Sequence, residues 1–161
     1  MLFRSVFFMA LYELLHQLNI PYQEVSHAAV YTIEEAERLQ IDLPGVEVKN
    51  LFIKDKTHYF LYCLPAQKRA DLKALRRTIE SGALTFAKEG ELLEKLGLTA
   101  GSVTPLGLVN NTQRDVTLLI DKELLGLTVW VHPNTNTKTM SLTLEDLLRL
   151  MEYLHVQVQF V

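Results

Sequence analysis

The stretch VKNLFIKDKTHYFLYCL, residues 48–64, decides the fold. Two apolar runs, 48–54 and 58–64, flank the charged triplet Asp55-Lys56-Thr57 and predict an antiparallel pair of strands. The first run does not alternate cleanly. Leu51, Phe52 and Ile53 are consecutive, which points to burial on both faces. Lys49 and Asn50 then stand at the mouth of a buried strand. A lysine there can hold a phosphate as a point charge, or carry its ammonium out to solvent on an apolar stem; the residue pattern leaves both readings open.

Upstream, Leu11, Leu14, Leu15 and Leu18 recur at helical spacing and predict an amphipathic helix from Ala10 to Asn19, stopped by Pro21. YQEV, 22–25, reads as a short strand, and Thr32 as the cap of a helix over IEEAERL, 33–39, with Glu35 in the capping-box position. Residues 1–9 read as an extension of unknown role. The apolar run MLFRSVFFMALYELL is broken by Arg4, Ser5 and Glu13, so it is too short to span a membrane, and no clear small-residue cleavage site follows it.

Downstream, DLKALRRTIE is expected to be a helix capped by Asp71 and ended by Gly82, and EGELLEKLG a helix ended by Gly97. ALTFA, DVTLLID, LTVWV and KTMSL read as strands, TAGSVTPLGLV as a Gly/Pro turn leading into a strand, and LEDLLRLMEYL as a last helix opened by Thr143. Strands and helices do not alternate regularly, and no GxGxxG or P-loop occurs. The expected architecture is α+β, with a mixed, curved, partly barrel-like sheet flanked by helices and a single domain over residues 10–161.

The 161 residues carry a net charge of −3, which alone argues against binding a polyanion. The distribution argues otherwise. Residues 48–79 hold eight Lys and Arg against Asp55 and Asp71, a local charge of +6 (8 − 2), which leaves −9 for the remainder. Such a field can guide a phosphate backbone, with Lys54, Lys56, Lys68 and Arg69 as the expected contacts, or it can be a solvated helix face. The single cysteine, Cys63, lies in an apolar run and reads as a core thiol; with no disulfide framework, a reducing, cytoplasmic setting is expected.

Chemistry has few carriers. His132 ends LTVWV beside the polar tip Asn134-Thr135-Asn136-Thr137, where an imidazole can bind substrate or move a proton. The other histidines show no HxxxH or HxH spacing and no CxxC occurs, so neither metal nor organic cofactor is expected. Gly101-Ser102-Val103-Thr104-Pro105 can present consecutive N–H groups to a carbonyl oxygen, or can be an ordinary loop. No nucleophilic serine motif is present.

Taken together, KNLFIKDK at 49–56, LPAQKRADLKAL at 64–75, GSVTP at 101–105 and HPNTNTKTMSL at 132–142 resemble the YbaK/ProX family of aminoacyl-tRNA deacylases, with SHAAVYTIEEA at 26–36 also similar. The likeness spans residues 10–155 and is greatest to the alanyl-tRNA(Pro) deacylase branch, which resembles the editing domain of bacterial prolyl-tRNA synthetases. It implies that Lys49 engages the tRNA 3′ end and that Asn50 places the terminal adenosine or the aminoacyl group. It also implies that Gly101, Ser102, Val103, Thr104 and Pro105 form the turn that holds the aminoacyl moiety, and that His132 lines the site. Thr32 and Asn136 are further candidates. The implied partners are the acceptor end of mischarged tRNA(Pro) and prolyl-tRNA synthetase. The implied chemistry is water attack on an aminoacyl ester, with alanine admitted and proline excluded by size. Cysteinyl- or seryl-tRNA as substrate, and a non-catalytic acceptor-end binding module, are the competing readings. Binding should weaken steeply with salt.

Overall fold

The computed structural model describes the backbone of residues 2–161 and, outside residues 2–9, 33 and 36, their side chains. The eight strands are β1 (Gln23–Ser26), β2 (Val46–Lys54), β3 (Tyr59–Pro65), β4 (Thr85–Phe86), β5 (Val116–Ile120), β6 (Thr128–Val131), β7 (Lys138–Thr143) and β8 (Val158–Phe160). They form one mixed sheet in the order β1-β7-β6-β2-β3-β5-β8, with β4 attached to β2. The predicted hairpin is its centre: β2 and β3 pair antiparallel from Val48↔Pro65 to Lys54↔Tyr59. β3 then pairs parallel with β5, and β2 pairs parallel with β6. The expected α+β architecture is the one observed. β8, parallel to β5, was not expected; Gln157, Val158, Gln159 and Phe160 alternate over too short a run to stand out in the sequence.

Alternation along β2 and β3 sorts the core into two layers. Phe52, Leu61 and Cys63 face the larger cluster, built with α1 (Leu2–Gln17), α4 (Glu89–Leu96) and α5 (Leu144–Tyr153). Ile53, Phe60, Tyr62 and Leu64 face the other side, where α3 (Leu72–Ile79) places Leu75 over them. This is why residues 51–53 are apolar without a break. Cys63 is fully buried, and burial pushes its thiol up to about 12, as suits a core thiol. Among the described residues, no helix is long and apolar enough to cross a membrane.

The caps follow the sequence, with one correction. Asp71, Gly97 and Thr143 act as expected: Asp71 accepts from Ala74 N–H, Gly97 takes a left-handed φ of 65°, and Thr143 accepts from Asp146 N–H. However, α3 ends at Glu80, in the left-handed region at φ 55°, not at Gly82. Gly82 instead gives its N–H to Asp55, which also collects those of Thr57 and His58. Burial alone would raise the Asp55 carboxyl, but these three donors hold it down at about 2. Residues 105–110, expected to lead into a strand, form a buried 3₁₀ turn capped by Thr104. α1 begins at Leu2, so the helix expected from Ala10 starts earlier in the chain.

Gly45 sets the start of β2. Its φ is +113°, and a Cβ there would lie 2.6 Å from the Thr128 carbonyl oxygen. Gly45→Ala is expected to lower stability by on the order of 1–3 kcal/mol from the backbone conformation alone, with the clash added, as a denaturant midpoint shift at unchanged slope.

Candidate active site

The sheet has a gap at its middle. β2 pairs with β6 only at Val46↔Val129 and Glu47↔Trp130, and with β4 only at Ile53↔Phe86 and Lys54↔Thr85. Between those contacts, residues 48–51 have no ladder partner on that edge. The Glu47 carbonyl accepts from Ala66 N–H on the β3 side, whereas that of Phe52 accepts from Ala87 N–H on the other. Backbone groups alternate along a strand, so those of Val48 and Asn50 face the gap. A cleft of about 190 Å³ opens there. Its walls are residues 47–50 of β2 and 130–132 at the end of β6, with Ala100, Gly101 and Val103 below and Val30, Tyr31 and Thr32 at the rim.

Lys49 lies in the middle of β2, not at its mouth, on the same strand face as Glu47 and opposite to Asn50. Because the cleft cuts through the sheet, all three line it. Lys49 is half-buried and has no ion pair or side-chain hydrogen bond among the described residues. The carboxamide oxygen of Asn50 is buried, with no hydrogen-bond partner among the described residues. Glu47 is held above the usual carboxylate range by burial and then by the charge of Glu37.

His132 projects from the β6–β7 hairpin. Its Nδ1–H donates to the Lys138 carbonyl at 2.9 Å, so the neutral ring keeps Nε2 as its acceptor. Burial is the main cause that lowers its pKa below 6.5, opposed by that hydrogen bond and aided by His27, whose ring centroid is 6.5 Å away. The ring is therefore uncharged at neutral pH. His27 donates from Nδ1 to the Ala28 carbonyl at 2.7 Å and so accepts at Nε2 from the Thr139 hydroxyl at 2.8 Å. Thr139 is also in the cleft wall. In the tip, Asn134 takes the left-handed conformation, φ 62°, and Asn136 ties the rim by donating to the Val30 carbonyl at 3.3 Å.

The GSVTP turn divides in two. Gly101 and Val103 line the cleft. Ser102, Thr104 and Pro105 are buried beneath it; Ser102 N–H donates to Thr99, and Thr104 Oγ1 accepts from Leu106 N–H. These three support the turn. Gly101 does not have a positive φ; what requires glycine is close approach, since a Cβ would meet the Tyr31 ring at 2.8 Å and Asn136 Nδ2 at 3.0 Å. Thr32 lines the rim while its hydroxyl caps α2 (Ile33–Arg38) at Glu35 N–H, 3.1 Å.

The expected phosphate contacts are scattered. Lys54 pairs with Glu91 at 2.5 Å, and Lys68 with Asp121 at 2.8 Å and Glu123 at 3.5 Å. Both cations are committed to carboxylates, which a sequence count of charges cannot register. Lys54 also sits five residues along β2 from Lys49, about 17 Å at strand rise. Lys56 and Arg69 are exposed, with no ion pair among the described residues. Glu47, Tyr31, Trp130, His27 and Thr139 were missed; only the fold brings β1, β2, β6 and β7 to one gap.

A split mixed sheet with a half-buried, uncommitted lysine and a neutral histidine across a small cleft defines the class of site. Residues 27–150 match the profile of the aminoacyl-tRNA editing domain. The chain is 41% identical over 142 residues to the prolyl-tRNA editing protein ProX of Acetoanaerobium sticklandii, covering 86% of each. It is 42% identical over 144 residues to prolyl-tRNA synthetase associated domain-containing protein 1 of Danio rerio, covering 87% of this chain and 78% of that one. A solved structure described as a candidate trans-editing enzyme for prolyl-tRNA synthetase superposes with a TM-score of 0.67 at 27% identity, covering 86% and 85% of the two chains. The chain belongs to the aminoacyl-tRNA editing domain family.

Proposed function

We propose that this chain is a trans-editing hydrolase that deacylates mischarged tRNA(Pro), with Ala-tRNA(Pro) as its first substrate. The observation that carries the reading is Lys49, a half-buried lysine with no ion pair among the described residues, in a cleft otherwise set up for polar contact. A partly desolvated cation calls for an anion, and the phosphate of a tRNA 3′ end supplies one. The names of the relatives support the same substrate class.

Water adds to the ester carbonyl carbon, and the bond from that carbon to the ribose oxygen breaks. The proton released by water ends on the ribose oxygen, leaving free amino acid and a restored hydroxyl. No covalent enzyme intermediate is needed. The protein contributes position and charge. Lys49 holds the phosphate. The unpartnered Asn50 carboxamide oxygen and Glu47 accept from the α-ammonium and ribose hydroxyls. Backbone N–H groups along the open edge of β2 and the Gly101 turn stabilise the oxyanion. A neighbouring ribose hydroxyl assists proton transfer. At about 190 Å³ the cleft is smaller than the roughly 300–1,000 Å³ typical of small-molecule sites, which suits a small acyl group. Rejection of proline rests on overfilling, which discriminates better than a missing methylene, worth only ~1–3 kcal/mol.

The test is deacylation of Ala-, Cys-, Ser- and Pro-tRNA(Pro) side by side. Rapid loss of alanine with proline spared is expected. Preference for cysteine or serine would keep the mechanism and change the substrate. Binding without hydrolysis of any would overturn the enzymatic reading.

His132 predicts a pH dependence. Its pKa lies below 6.5, so kcat/KM should hold from pH 8 to 6.5 and fall only under that, as the ring gains a proton and Nε2 ceases to accept. Stability follows the same sign: the unfolded chain binds this proton first, so the contribution of neutral His132 is full above 6.5 and lost on acidification. His132→Ala should remove that acid limb and lower activity throughout; a limb that survives would place the titration elsewhere.

A further inference from the structure

Tyr31 is unusual for a large aromatic residue: it is 72% exposed, the highest value among the described large apolar side chains. It is nevertheless held in place. One edge of the ring, Cδ1–Cε1, lies against Gly101, whose added Cβ would be 2.8 and 2.9 Å from those atoms. Its backbone N–H donates to the Glu35 carboxylate at 3.1 Å, Thr32 caps the helix that follows, and Asn136 anchors the carbonyl of Val30 before it. An aromatic ring on an anchored backbone, seated along one edge on Gly101, thus stands at the rim of the cleft with most of its surface in water.

The cleft volume says what that surface is for. At about 190 Å³ the cleft is small beside the roughly 300–1,000 Å³ of typical small-molecule sites, room for a small acyl group rather than for a whole aminoacyl nucleoside. The rim is then the surface next to the base that the substrate carries. An aromatic side chain there offers a π-face on which a base stacks, a contact that tolerates any base and needs no hydrogen-bond code. Nothing charged on Tyr31 competes for that role, and its exposure leaves an apolar surface that a base would cover. We propose that Tyr31 is the stacking platform for the 3′-terminal base of the bound RNA, a base-binding subsite at the rim of the cleft. This rests on the reading of the cleft as a tRNA-end site.

The experiment measures binding of two uncharged acceptor minihelices to the full chain, one ending in adenosine and one ending in the same ribose without its base. Stacking on an aromatic residue is worth about 1–3 kcal/mol, or about 5- to 150-fold in affinity. The wild-type chain should prefer the adenosine end by a factor in that range. Tyr31→Ala should bring the ratio close to one, and Tyr31→Phe, which keeps the ring, should restore it. A merely structural role would weaken both RNAs alike and leave the ratio untouched. No preference in the wild type, or a preference that survives Tyr31→Ala, overturns the proposal. If the ratio behaves as expected while no charged tRNA is hydrolysed, the deacylase reading falls and the subsite stands. If neither minihelix binds, both fall.

Discussion

Lys49→Ala should leave a folded protein that no longer turns over substrate. The expected loss in kcat/KM is at least about 30-fold and extends to several thousand-fold, the range for removing one partner of a buried, hydrogen-bonded charge pair, ~2–5 kcal/mol. Stability should stay within about 0.5 kcal/mol of wild type, because no described carboxylate is left unpaired when this ammonium goes. Lys54→Ala makes the comparison: it abandons Glu91, which Lys54 and Tyr59 share, and should cost stability more than activity. Lys49→Arg is not a conservative control, since a planar fork does not replace a point charge in a narrow cleft. Single-turnover deacylation and a denaturation curve on the same preparations check both halves. Full activity in Lys49→Ala would remove the assignment.

Gly101→Ala is the second large effect, through geometry rather than charge. The new Cβ would sit 2.8 Å from the Tyr31 ring and 3.0 Å from Asn136 Nδ2. Both are side chains that can yield, and the Gly101 backbone is not in the left-handed region, so folding should cost less than about 1 kcal/mol. The yielding is the damage. Moving Tyr31 and Asn136 shifts the rim against the Gly101 turn, to which the proposed mechanism assigns the acyl group, and a displacement near 1 Å in such a site can cost about 100-fold in rate. Activity should fall by that order while the melting midpoint hardly moves. Activity within threefold of wild type would show that the turn tolerates a side chain and that Gly101 is not a close-approach position.

Both predictions use residues that the sequence had exposed, for reasons it could supply only in part. The hairpin at 48–64 was legible because two apolar runs flank a charged turn, and the two core layers above and below β2 explain why Leu51, Phe52 and Ile53 are apolar without a break. Caps were legible because a single side chain makes them. The last strand was not, since Val158–Phe160 is defined by its parallel neighbour rather than by its own pattern. Lys49, Asn50, Gly101 and His132 do meet in one cleft, whereas Ser102, Thr104 and Pro105 turn inward to carry the loop. Pairing of the cations was not legible because counting charge ignores it: Lys54 and Lys68 pair with Glu91 and Asp121, carboxylates 37 and 53 residues away in the chain. Tyr31 and Glu47 escaped because nothing in their own neighbourhoods marks them; they matter through what folds beside them.

The open edge of β2 has a consequence of its own. Unpaired strand edges normally lie on the outside of a protein, where they invite another strand to add and so seed aggregation. Here the edge is interior, walled by the end of β6 and roofed by the rim at Val30–Thr32. Only residues 48–51 are open on that edge, so an arriving strand finds four residues to pair with rather than a full ladder. On the proposed reading, the groups that elsewhere would recruit a strand are turned to an incoming tRNA end.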